Sequence, residues 1–150
     1  MRRSIGETGV RKKGAAMLDP HGALIYTMVI VSAADREMSD SELAIIGDIV
    51  GHLPAFRGFD RNGLQGVLEA CTRLLNRDNG LEEAFAAIKK TLPAKLRETA
   101  YAIACDVAAA DGEASQEELR VLELVRHRLG IERLIAAGIE RGARARFQTL

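Results

Sequence analysis

From Asp19 onward, apolar residues recur three and four positions apart along almost the whole chain, and no stretch alternates strictly between apolar and polar. That spacing belongs to the α-helix, because 3.6 residues per turn bring side chains back to one face. Asp19-Pro20 predicts the first start: Asp can cap a helix, and Pro in its first turn has no hydrogen bond to lose. This helix should run to about residue 34. A second is expected over 39–53, stopped by Pro54, which cannot donate the next backbone bond. Asp60 predicts the cap of a third, to about 76, and Arg77-Asp78-Asn79-Gly80 reads as a turn. A fourth helix over 81–92 is ended by Pro93, and a fifth and a sixth span 94–110 and 115–129. Gly130 supplies a left-handed end before a seventh, from 132 to roughly 144. The expectation is all-α: one bundle of about seven helices over residues 19–146, between a basic N-terminal tail (1–18) and a short C-terminal one (147–150).

One phrase occurs twice. "AADREMS" begins at Ala33 and "AADGEAS" at Ala109, and at a single offset of 76 residues 33–54 overlay 109–130 without a gap. Eight of those 22 positions are identical, where chance at average frequencies gives roughly one or two. The apolar face repeats too, with Ile46 matching Leu122 and Ile49 matching Val125. The repeated unit is a helix end, a short acidic loop and the next helix. Two such units predict helical hairpins related by a pseudo-twofold and packed as one bundle.

Composition narrows the function classes. The chain has 150 residues, with 21 basic and 21 acidic side chains and a formal net charge of zero, so it lacks the general basic footprint of a nucleic-acid binder. Tryptophan is absent and aromatics make up 4%, which removes the stacking platforms of single-strand binders. Basic residues gather in the first fourteen positions and again in "RGARARF", tails expected to be solvated and able to meet an acidic partner or anionic lipid. The opening stretch has no apolar core of a secretory signal, and no run is long enough to span a membrane. Cys71 and Cys105 fall at helical spacing among apolar residues, which predicts buried free thiols and fits a reducing cytoplasm. His21 reads as exposed, and His52 and His127 as last-turn residues out of register by one in the overlay; none has a partner at metal-ligand spacing. No phosphate-binding loop, nucleophile elbow or zinc-protease motif is present.

The repeated D-x-E-x-S-x-x-E carries the chemistry. Ser39 with Glu42, and Ser115 with Glu118, have capping-box spacing, in which the hydroxyl takes an orphan N–H and the carboxylate reaches back to the cap. Glu37 and Glu113 gain from the positive end of the following helix. Asp35 and Asp111 sit instead at the C-terminal end of the preceding helix, where the dipole disfavours them, so something should compensate. If the loops meet, Asp35, Glu37, Asp111 and Glu113 crowd one end of the bundle, and a hard divalent cation (Ca²⁺, Mg²⁺ or Mn²⁺) would relieve the repulsion. A solvated acidic face and an acidic or cation-bridged protein-docking patch are the other readings. Gly112 can adopt the left-handed conformation that its counterpart Arg36 adopts only at a cost of about 1 kcal/mol, which favours the second loop if only one binds.

"LPAKLRETAYAIACDVAAADGEASQEELRVLELVRHRLGI", from Leu92, resembles the signature half of the tellurite-resistance TerB family, which is related to the N-terminal domain of a DnaJ-like membrane co-chaperone. The specific part is A-A-D-G-E-x-S-x-x-E-L, and the partner copy at Ala33 agrees with that family's internal duplication; coverage runs from about His21 to Arg144. The resemblance implies a bundle of about seven helices, a bacterial cytoplasmic setting and acidic loops forming a metal centre, here Asp35, Glu37, Asp111 and Glu113 with Glu42 and Glu118. Tellurite itself is an oxyanion, which carboxylates repel unless a cation intervenes. The expectation is a non-enzymatic module, metal-responsive, in a stress or membrane-associated complex with an unidentified protein partner. A pure interaction scaffold is the first alternative. A metal-dependent hydrolase ranks last, because no nucleophile or base is set apart by its neighbours.

Overall fold

A computed structural model describes residues 18–35 and 38–150 of the chain. The expected N-terminal tail up to residue 17, and Arg36 and Glu37 of the first acidic loop, lie outside the described residues. Those described form seven α-helices: α1 (Pro20–Ser32), α2 (Asp40–His52), α3 (Leu64–Leu75), α4 (Gly80–Thr91), α5 (Arg97–Ala109), α6 (Gln116–Leu129) and α7 (Arg133–Arg146). Tight 3₁₀ turns (Ala33–Asp35, Arg61–Gly63 and Ala94–Leu96) replace first or last turns that periodicity alone assigns to helices, and a further one, Pro54–Phe56, follows α2. Asp60 therefore caps a 3₁₀ turn, accepting from the Asn62 amide, rather than α3 itself.

The start of α1 is as expected, with Asp19 accepting from the Gly22 amide and Pro20 in the first turn. Gly22 through Ser32 are all buried, so this helix has no polar face. A helix apolar all round belongs at the centre of a bundle, and α3, α4, α5 and α6 all pack on it. Its Thr27 stays satisfied by donating its hydroxyl to the Ala23 carbonyl at 2.8 Å. The packing of the repeats is reciprocal, as a pseudo-twofold requires: α1 meets α6 while α5 meets α2, and α1 and α5 meet each other.

Symmetry ends where α4 lies against α1, α3 and α6. Arg128 of α6 ties α4 down, bonding Glu82 at 2.6 Å and lying 4.7 Å over the Phe85 ring. Offset 76 carries Tyr26 and Ile30 of α1 onto Ala102 and Asp106 of α5, and where the first pair is buried the second is half-buried. Asp106 instead pairs with Arg146 of α7. At Gly80, a Cβ would stand 2.0 Å from the Leu74 carbonyl oxygen, so the turn between α3 and α4 closes only without a side chain.

Both thiols are buried as expected, and burial pushes each up to about 12. Two readings change. The "RGARARF" run is helical through Arg146 and so part of α7 rather than a tail. His21 is half-buried, its ring 5.7 Å from Phe56 and 5.4 Å from Phe59, because the turn after α2 folds those aromatics back over the start of α1.

Candidate functional site

Both capping boxes form. The Ser39 hydroxyl accepts from the Glu42 amide at 3.0 Å while the Ser39 amide donates to the Glu42 carboxylate at 3.1 Å, and Ser115 with Glu118 repeats both distances. Ser39 and Ser115 are therefore caps, with hydroxyls committed to their helices.

The loops then cross. Asp111, from the second loop, accepts a hydrogen bond from the Ser39 hydroxyl of the first at 3.1 Å, seating it at the N-terminus of α2. The turn carrying Asp35 packs in return against α6, close enough for the Asp35 charge to act on Glu118. Asp111 thus gains the favourable N-terminal end of the other hairpin's second helix, which offsets its place at the C-terminal end of α5. This is the compensation that the sequence calls for.

Beneath the crossing lie Glu42 and Glu118, each only 3% exposed. They share the face of the core residues one turn on, Ile46 and Leu122, and this places two carboxyl groups against one another on the pseudo-twofold. Burial, a hydrogen bond to Glu42 and the negative charges of Glu42 and Asp35 push the Glu118 carboxyl up to about 8, against the opposing effect of the Ser115 amide. Among the described residues, no ion pair reaches either glutamate. Near neutral pH the pair therefore holds a proton between two acids that ordinarily have none.

The expected ligands fall into three groups. Asp35, Asp111, Glu42 and Glu118 converge; Asp35 and Asp111 are exposed, and the glutamates lie below them. Glu113 turns instead to a groove between α6 and α7, and Glu37 lies outside the described residues. As the described side chains stand, no three Asp, Glu, His or Cys residues are arranged to hold a metal ion. Sequence reasoning gave Glu42 and Glu118 a supporting place, and the structure buries them beneath the crossing, against one another. The available signal was their position four residues before Ile46 and Leu122, on the apolar stripe.

The groove lies over α5, where α6 and α7 splay apart, and encloses about 630 Å³. Tyr101, Cys105 and Leu122 line it, with Leu119, Ala143 and Phe147 at its sides. The Tyr101 hydroxyl donates to Glu140 of α7. Gly112, with φ +92°, turns the second acidic loop at the groove's end.

An all-helical bundle of two interlocked hairpins, joined at an acidic end over a buried glutamate pair, is the class that fold and site define. Residues 21–138 match the family described as tellurite resistance protein TerB, and the chain belongs to that family. No curated protein and no solved structure matches it. No helix among the described residues is long and apolar enough to cross a membrane.

Proposed function

We propose that this chain is a non-enzymatic TerB module whose crossed acidic loops take up a divalent cation and so report its presence to a protein partner. The observation that carries this reading is the buried Glu42–Glu118 pair. A capping box works with glutamine as well as glutamate, so helix ends alone do not call for two buried acids face to face. Two acids without a basic partner form a place where a cation can replace a proton. The donors are all carboxylate oxygens, which suit Ca²⁺, Mg²⁺ or Mn²⁺ over softer metals. Asp35 and Asp111 are exposed above the pair, and side-chain rotation would bring them toward it. No residue here is distinguished as a nucleophile with its base, and the carboxylates form a ring of like groups. Tellurite, an anion, would be repelled by the carboxylates of the metal-free site and is not its ligand in this reading.

A thermal-unfolding titration with each cation tests the proposal, on the wild type beside Asp35→Asn/Asp111→Asn. Cation at about 100 times its dissociation constant should add roughly 2.7 kcal/mol of stability. The reading holds if one cation gives a saturable shift that the double variant loses. It fails if none of the three does. The second reading, a cation-independent docking scaffold, draws on Leu43 and Leu119, which occupy equivalent positions in the first turns of α2 and α6 and are 43% and 48% exposed.

A further inference from the structure

The outer face of α7 is an unpartnered helix surface of unusual composition. The helix rests on α5 through Ala136, Ile139 and Ala143 and packs on no other helix to a comparable extent. Pointing away from that contact are Leu134, Gly138, Arg141 and Ala145, with Arg133 and Arg144 along one flank, all exposed. Leu134 is 76% exposed and the neighbouring Ile135 41%.

The helix's acidic neighbours do not balance these arginines. Glu140 turns inward to accept the Tyr101 hydroxyl, and Glu132 caps the helix by accepting from the Ile135 amide. Arg146 is occupied by Asp106, whereas Arg133, Arg141 and Arg144 have no ion-pair partner among the described residues. The face therefore presents three guanidinium groups around an exposed leucine and small residues. Arginine and leucine side chains on one exposed helical face are what a helix lying in the headgroup layer of a bilayer requires: guanidinium groups meet lipid phosphates while the leucine enters the acyl boundary.

We propose that α7 docks this module, lying flat through Arg133, Leu134, Arg141 and Arg144, on an anionic membrane surface. A phosphate backbone of nucleic acid would satisfy the arginines but leave Leu134 without a role, and the chain as a whole carries no net positive charge. The surface is separate from the acidic loops, so the proposal stands or falls independently of the cation.

The test is co-sedimentation of the full chain, in chelator and at low salt, with phosphatidylcholine vesicles holding about a third phosphatidylglycerol, and with vesicles of phosphatidylcholine alone. The wild type should bind the anionic vesicles only, and release at high salt. Each arginine near an anionic surface multiplies partitioning about fivefold, so Arg133→Gln/Arg141→Gln/Arg144→Gln should lower it on the order of a hundredfold. Leu134→Ser alone should also weaken binding, which a purely electrostatic contact would not show. Three results would overturn the proposal: no binding of the wild type, binding of the triple variant equal to wild type through the basic N-terminal stretch, or tighter binding to a duplex oligonucleotide than to the vesicles.

Discussion

Replacing Glu118 by glutamine tests the buried pair most directly. The variant keeps the capping box, since glutamine at that position can accept from the Ser115 amide, and it supplies an N–H to Glu42 in place of the shared proton. What it removes is a titration. In the unfolded chain Glu118 ionises near its ordinary value of 4.5, whereas in the fold it holds its proton up to about 8. A folded-state pKa raised above the unfolded one means stability that is fully present below the unfolded value and is lost as pH rises toward the folded one. At 1.36 kcal/mol per pH unit, the loss by pH 7 is about 3 kcal/mol, and at pH 5 it is less than about 1 kcal/mol. Urea unfolding of the wild type from pH 5 to pH 8 should therefore show a midpoint that falls steadily. Glu118→Gln should flatten that slope and be the more stable protein at pH 7 by about 2 kcal/mol, allowing for the cost of burying the amide. Because the hydrogen bond and charge of Glu42 help to raise Glu118, Glu42→Gln should act in the same direction. A wild-type midpoint that is flat or rises over this range, with Glu118→Gln destabilised at pH 7, would refute the account of the pair.

The remaining expectations concern the frame around it. Ser115→Ala should cost about 1 kcal/mol by chemical denaturation, as a lost N-cap does, and Ser39→Ala more, because Asp111 loses its partner as well. Gly80→Ala should destabilise by several kcal/mol and lower the melting temperature, since its Cβ would stand 2.0 Å from the Leu74 carbonyl oxygen. Cys71 and Cys105 should resist a thiol reagent in the native protein near neutral pH and react promptly in denaturant, because burial raises both to about 12.

The helices were legible because each break carries its own chemistry: Asp19-Pro20, Ser39, Pro54, Pro93, Ser115 and Gly130 all act locally, and all act in the structure as their chemistry predicts. The 3₁₀ turns were not, since they differ from a helical first turn only in hydrogen-bond geometry. In the site, the capping boxes were equally local and equally legible. The exchange between loops was not: that Asp111 reaches Ser39, 72 residues away, depends on how two hairpins pack. His21 shows the same limit, because its cover comes from Phe56 and Phe59 across a turn whose direction no local pattern states. Family resemblance supplied the acidic residues as a set, but the capping boxes already accounted for Glu42 and Glu118 and so put them second.

Duplication explains why the pair is where it is. When a hairpin is copied and the copies pack about a twofold, any residue near the axis is brought against its own counterpart. For an apolar residue this adds to the core, as in the packing of α1 against α5. For an acid it sets like against like, and Glu42 and Glu118 meet because a capping position happens to lie on that axis. Such a contact persists only with a proton, a cation or a displaced backbone between the two. Divergence of the copies after duplication could have removed it by one change to glutamine, which the caps would accept, yet both acids stand while the loop residue Gly112 differs from Arg36. If the pair held only a proton, Glu118→Gln would leave every other property of the protein intact and raise its stability. If it holds a cation, the same variant gains stability in chelator and loses the cation's shift. One substitution, measured with and without the ion, therefore separates a leftover of duplication from a working site.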